Sequence, residues 1–182
     1  MKKRISQTNI QVKQEMYKAL MRLLSKKAFS SISVSDITKE AGVSRMAFYR
    51  NYSAIEGILA EHLNEVVEEY KIEEMEKIEN IVAGEEKIFY EKQYMLHCFQ
   101  FFYTHREFMD TLISSGMGDL FLSKITEYLI QKWIDREKEN DKKEILKVSA
   151  YAGCIYNMYR EWSRGKFEES PEEIAEILYH LM

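Results

Sequence analysis

Between residues 44 and 51 the chain reads Ser-Arg-Met-Ala-Phe-Tyr-Arg-Asn. Wound as a helix, this segment has two unlike faces. Phe48 and Tyr52, four residues apart, fall on one side together with Val43. Arg45, Met46, Tyr49 and Arg50 fall elsewhere and have no core role. The chemistry such a face offers is recognition of nucleic acid. A guanidinium can reach O6 and N7 of guanine with two parallel hydrogen bonds, and the hydroxyls of tyrosine and of a capping serine suit phosphate oxygens.

The other residues able to do chemistry point away from catalysis. The four histidines are His62, His97, His105 and His180, and none has a glutamate three residues before it, so the helical di-iron pattern is absent. There is no glycine-rich phosphate loop, no GxSxG and no HExxH. His97 and Cys98 are adjacent, and neighbours on a helix diverge by about 100°, which speaks against a metal pair. Cys98 and Cys154 both stand in apolar helical text and are expected to be reduced, buried thiols. The expectation is a protein that is not an enzyme and has no metal or cofactor.

The elements that must position residues 44–51 are marked by local punctuation. Thr8-x-x-Gln11 reads as a capping box opening a first helix, with Met16, Leu20, Leu23 and Leu24 along one stripe and Ala28–Ser31 closing it. Ser33-x-x-Asp36 opens a short second helix, with Val34, Ile37 and Ala41 inward, and Gly42 ends it. Ser44 caps the third helix, with Val43 and Phe48 as a hydrophobic staple. Ser53-x-x-Glu56 begins a long fourth helix with Ile55, Ile58, Leu59, Leu63, Val66, Val67 and Tyr70 inward, broken at Ala83-Gly84. Further helices are expected over about 85–104, to about 115, over about 119–138 and over about 142–164, with Asn140-Asp141 as a loop and Gly165 as a stop. Ser170-Pro171-Glu172-Glu173 opens the last: serine cap, proline at the first position, acids in the first turn. Proline occurs once and nothing reads as a strand, so the fold class is all-α with about nine helices.

Ser33–Leu59 resembles the DNA-binding domain of the tetracycline-repressor (TetR) family, and the likeness runs from about Gln11 to Leu59. It rests on Ile37 and Ala41, on Gly42-Val43-Ser44, on Phe48-Tyr49, and on the aromatic Tyr52 two positions beyond Arg50. The resemblance implies a three-helix, helix-turn-helix domain over residues 1–53 and a helical ligand-binding and dimerisation domain over 54–182. It implies contacts to an operator duplex from Ser35, Lys39, Ser44, Arg45, Met46, Tyr49, Arg50 and Asn51. Asn51 and Ile55 stand where the family commonly has residues that touch phosphate, and Ile55 cannot, so that contact is missing or supplied by Lys39 or Arg50. Ala28 stands where glycine is usual.

Charge agrees with a split into head and body. Residues 1–60 carry eleven Lys and Arg against four Asp and Glu, a balance of +7; the rest carries fifteen against twenty-six, a balance of −11. A basic head on an acidic body suits a polyanion at the head alone. The body is rich in aromatic residues, which a helical core, a dimer seam or a small-molecule pocket would each use. Family resemblance implies a pocket for a small apolar or aromatic effector, and the candidates are Tyr94, Cys98, Phe102, Phe121, Tyr128, Tyr151 and Tyr156. The last two helices are apolar on more than one side. Tyr151, Ile155, Tyr159, Ile174, Ile177, Leu178 and Leu181 are therefore the candidates for a homodimer seam. No stretch approaches the roughly 18 apolar residues of a membrane span, and no apolar run follows the basic N-terminus. The expected place is the bacterial cytoplasm, on DNA.

Overall fold

Capping side chains and one left-handed glycine set the helix ends of the N-terminal unit. The computed structural model describes residues 2–77, 89, 91–137 and 141–182, with side chains from residue 9 onward except at 137, and among these it has nine α-helices and no strand. The chain divides into two compact units, Met1–Val66 and Val67–Met182. The division lies within the fourth helix, beyond residue 53, because the first turns of that helix bury their apolar side chains.

In the first unit α1 (Lys2–Leu24) packs on α2 (Val34–Ala41), and α3 (Arg45–Asn51) packs on both. Met16, Ala19 and Leu20 of α1, Ile37 of α2 and Phe48 of α3 are fully buried, and Ile58, Leu59 and Leu63 of α4 (Glu56–Lys77) are buried with them. Burying a side chain such as Phe48 is worth about 1.5–3 kcal/mol. Two sequence expectations shift here. α1 begins at Lys2, so Thr8 lies inside it and opens nothing; no glycine or proline interrupts residues 2–8. α4 begins at Glu56, leaving Ser53 outside the helix, and a 3₁₀ turn at Phe29–Ser31 follows α1.

The second unit contains α5 (Lys92–Thr104), α6 (Arg106–Ser114), α7 (Gly118–Glu137), α8 (Lys142–Arg164) and α9 (Pro171–Leu181). α5 lies along α9 and α7 along α8, with α6 against α7. Ser170 caps α9 with a full capping box to Glu173, and Pro171 sits in its first turn. The expected break at Ala83-Gly84, the start of the helix placed at about 85 and Asn140 lie outside the described residues.

Two body expectations are corrected. Cys154 is exposed on α8, whereas Cys98 is buried. Gly165 ends α8 without a left-handed backbone (φ −74°); the left-handed residues are the next two, Lys166 and Phe167, at φ 57° and 58°. Each costs about 1–2 kcal/mol, offset by the Phe167 ring, which packs edge-on against Trp162 at 5.0 Å. The seam candidates divide by burial. Tyr151, Ile155, Tyr159, Ile174 and Leu178 are buried within the subunit itself, leaving only Ile177 and Leu181 of that set exposed.

Candidate nucleic-acid interface

The turn between α2 and α3 is built locally. Ser33 Oγ accepts a hydrogen bond from the Asp36 amide at 3.2 Å, and the Ser33 amide donates to Asp36 Oδ2 at 2.9 Å, closing a capping box. Gly42 takes φ 66°, and the Val43 amide returns to the Thr38 carbonyl at 3.0 Å. A side chain at Gly42 would meet nothing within 4 Å, so what the position requires is the backbone freedom of glycine. Ser44 Oγ then accepts from the Ala47 amide at 3.1 Å and starts α3.

Two ion pairs tie α2 to α1 and to the turn that follows it. Lys27 Nζ stands 2.9 Å from Asp36 Oδ2, and Arg22 Nε stands 2.7 Å from Glu40 Oε1. The Lys27 hydrogen bond, helped by Ser33, holds the Asp36 carboxyl well below its usual range, and Arg22 lowers that of Glu40. At the far end of α3, Tyr52 donates to Glu61 Oε2, while Lys13 Nζ holds Glu61 Oε1 at 2.5 Å. Partial burial works against the Glu61 charge, but Lys13 and Tyr52 outweigh it and its pKa is lowered. Burial and the Glu61 hydrogen bond push the Tyr52 phenol far up, so it stays a donor.

α3 is thus held from below by Phe48 and Tyr52 and offers its other face to solvent. Met46 is 71% exposed and Tyr49 52% exposed; Arg45, Arg50, Ser44, Ser35 and Lys39 are exposed too. Asn51 is half-buried, and its Nδ2 donates to the Ala47 carbonyl at 2.8 Å, so part of its capacity is spent on its own helix. The cations divide into two sets. Lys13, Arg22 and Lys27 are paired with head carboxylates. Lys39, Arg45 and Arg50, on the outer faces of α2 and α3, pair with no acid among the described residues. A capped helix of about 10–12 Å diameter with unspent guanidinium groups on its outer face matches a major groove about 12 Å wide.

The seven residues expected to line an effector pocket do not form one group. Phe102, Phe121 and Tyr156 stack edge-on in series, at 5.4 and 5.8 Å between ring centres, within the packed core around Tyr159. The Tyr151 hydroxyl donates to the Phe89 carbonyl at 2.5 Å. Tyr94, Cys98 and Tyr128 instead gather around Tyr70, together with Glu74, His97 and Lys132; of these last three the sequence pointed only to His97, and only as a metal candidate beside Cys98. A signal for Glu74 was present: it continues the stripe Leu63, Val66, Tyr70 at helical spacing, an acid in an apolar register.

An all-helical chain with a capped helix-turn-helix and an exposed basic third helix defines the class of helix-turn-helix DNA-binding proteins. Two family models match it: residues 17–62 match "Bacterial regulatory proteins, tetR family", and residues 91–182 match "Transcriptional regulator C-terminal region". The chain belongs to the TetR family of transcriptional regulators, which are DNA-binding proteins and not enzymes. Among solved structures it is similar to Lin0861 from Listeria innocua, with a TM-score of 0.75 at 15% identity over 94% of this chain and 88% of that one. It is also similar to the dihydroxyacetone kinase operon activator DhaS, with a TM-score of 0.54 at 23% identity over 93% of both chains. Both likenesses are of fold. No curated protein matches by sequence. No helix among the described residues is long and apolar enough to cross a membrane.

Proposed function

We propose that this protein is a ligand-responsive repressor that binds a palindromic operator as a homodimer. The carrying observation is the outer face of α3, where Arg45, Met46, Tyr49 and Arg50 are exposed while Phe48 and Tyr52 anchor the helix. In this reading Arg45 and Met46 enter the major groove first and read bases. Ser35, Lys39, Ser44, Tyr49, Arg50 and Asn51 grip the backbone, with Lys39 and Arg50 covering for the contact absent at Ile55.

A second copy would seat on a face of α8 and α9 that the subunit leaves open. Leu146, Ala150, Cys154 and Asn157 are exposed along one side of α8, and Ile177 and Leu181 along one side of α9. Small residues at 150 and 153 let a partner helix approach closely, and a two-fold four-helix seam follows. A ligand bound in the body would favour a head spacing mismatched to the operator, so ligand and operator oppose each other by linkage.

The test is selection of bound duplexes from a random pool, followed by titration of the selected site. Enrichment of an inverted repeat with one dimer per site supports the reading. Recovery of no preferred sequence overturns it in favour of a protein-binding module of the same fold. Activation is the second reading, favoured by the likeness in fold to DhaS, an operon activator; transcription in vitro from a promoter carrying the selected site decides the sign.

A further inference from the structure

Met46 is 71% exposed, more than any other large apolar side chain among the described residues. A single exposed apolar residue is ordinary on a protein surface, but this one has unusual company. It stands in the first turn of α3, directly after the Ser44 cap and Arg45. Arg45 is itself exposed and pairs with no acid among the described residues. The other large apolar residues of this segment are held by the packed side. Phe48 is fully buried and Tyr52 is bonded to Glu61. The Tyr49 ring leans edge-on against Phe48 at 5.3 Å. Met46 combines exposure with a flexible, unbranched chain of three rotatable bonds.

The thioether decides what such a side chain can recognise. It has no hydrogen-bond donor and only a weakly accepting sulfur, so it cannot read the donor and acceptor pattern of a base edge. What it can do is take apolar surface out of water. In the major groove the C5-methyl group of thymine is the apolar mark that sets one base apart from the others. The amino groups of adenine and cytosine would instead lose water against a chain that returns no bond. Arginine has the opposite preference, for O6 and N7 of guanine. Adjacent side chains on a helix diverge by about 100°, so Arg45 and Met46 suit successive base pairs, which lie about 3.4 Å apart.

We propose that Met46 reads the C5-methyl group of a thymine in the base pair next to a guanine held by Arg45. Each operator half-site then carries a T·A pair beside a G·C pair. This rests on the reading of α3 as the operator-recognition helix, and adds to it the base that its uncharged, donor-free residue selects.

Uracil differs from thymine only in lacking that methyl group, which makes the test direct. The full chain is titrated with the selected operator and with duplexes in which each thymine in turn is replaced by uracil in both half-sites. One thymine should show a loss of about fourfold per half-site, the worth of burying one methyl-sized group. It should lie beside a guanine whose replacement by 7-deazaguanine weakens the wild type but not Arg45→Ala. 5-Bromouracil, whose bromine fills the place of the methyl, should restore affinity. Met46→Ala should bind the thymine and uracil duplexes alike, whereas Met46→Leu, which keeps an apolar chain, should still prefer thymine. A preferred operator without a methyl-sensitive thymine beside an Arg45-dependent guanine overturns the proposal. So does a thymine preference that survives Met46→Ala in full, since the methyl would then meet another residue. Either outcome leaves the operator reading standing. Failure to select any preferred duplex overturns that reading, and this inference with it.

Discussion

The Tyr52 hydroxyl donates a hydrogen bond to Glu61, joining the residue that ends α3 to the second turn of α4. Because the other Glu61 oxygen is held by Lys13 of α1, the bond fixes the recognition helix against two others. Tyr52→Phe should therefore lower head stability by about 0.5–1.5 kcal/mol and weaken operator binding without changing which bases are preferred. Denaturant unfolding and titration on matched and mismatched duplexes measure the two effects. A change of base preference would mean that Tyr52 itself touches DNA.

Acid should loosen the head. Asp36, Glu40 and Glu61 have folded pKa values below their ordinary 3.8, 4.5 and 4.5, through Lys27 and Ser33, through Arg22, and through Lys13 and Tyr52 against burial. A depressed carboxyl contributes stability that is fully present above its unfolded value and is lost as pH falls through the folded one. The head should thus be at full strength above about pH 5 and weaken below 4.5. Asp36→Asn, which can still accept from the Ser33 amide, should flatten the acid slope. Thermal melts across pH 2.5–6 check this, and an unchanged slope would show the Lys27 pair to be idle.

Base reading and backbone gripping should separate by mutation. Arg45→Ala should cost about 1–3 kcal/mol on the selected operator and relax preference at one base pair per half-site. Tyr49→Phe should weaken all duplexes by a similar factor and leave the salt slope unmoved, since no cation is lost. Arg50→Ala should flatten that slope by about one unit per arm of the dimer. Titrations on operator and scrambled duplexes at several salt concentrations distinguish these outcomes. If Arg45→Ala loses equally on both duplexes, Arg45 holds phosphate and does not read sequence.

Ile177→Asp with Leu181→Asp should turn a dimer into a folded monomer, because both side chains are exposed on α9. Tyr159→Phe should behave oppositely. Its hydroxyl donates to Asp110 Oδ1 at 2.9 Å inside the subunit, so the change should lower stability by about 0.5–1.5 kcal/mol and keep the dimer. Light scattering at micromolar concentration, paired with thermal melts, reads both. Dimers persisting in the double aspartate variant would place the seam elsewhere.

What the sequence by itself determined is what neighbours within a few residues decide. Ser33 with Asp36, Gly42, Ser44, and Ser170-Pro171 with Glu173 form their caps through bonds three or four residues long, so residue types at fixed spacing suffice. The outward face of α3 was legible for the same reason: its anchors Phe48 and Tyr52 lie on the helix and at its end. The tertiary structure decided what covers each face. Helical spacing shows that Tyr151, Ile155 and Tyr159 share a side of α8, but only packing shows that this side is buried in the subunit while Cys154 faces out. Likewise spacing puts Glu74 in the stripe of Tyr70, yet nothing local tells that Tyr128 and Lys132, more than fifty residues away, arrive from α7 to engage its carboxylate. Periodicity records which residues point the same way; the partner they meet is chosen by how distant helices share one interior.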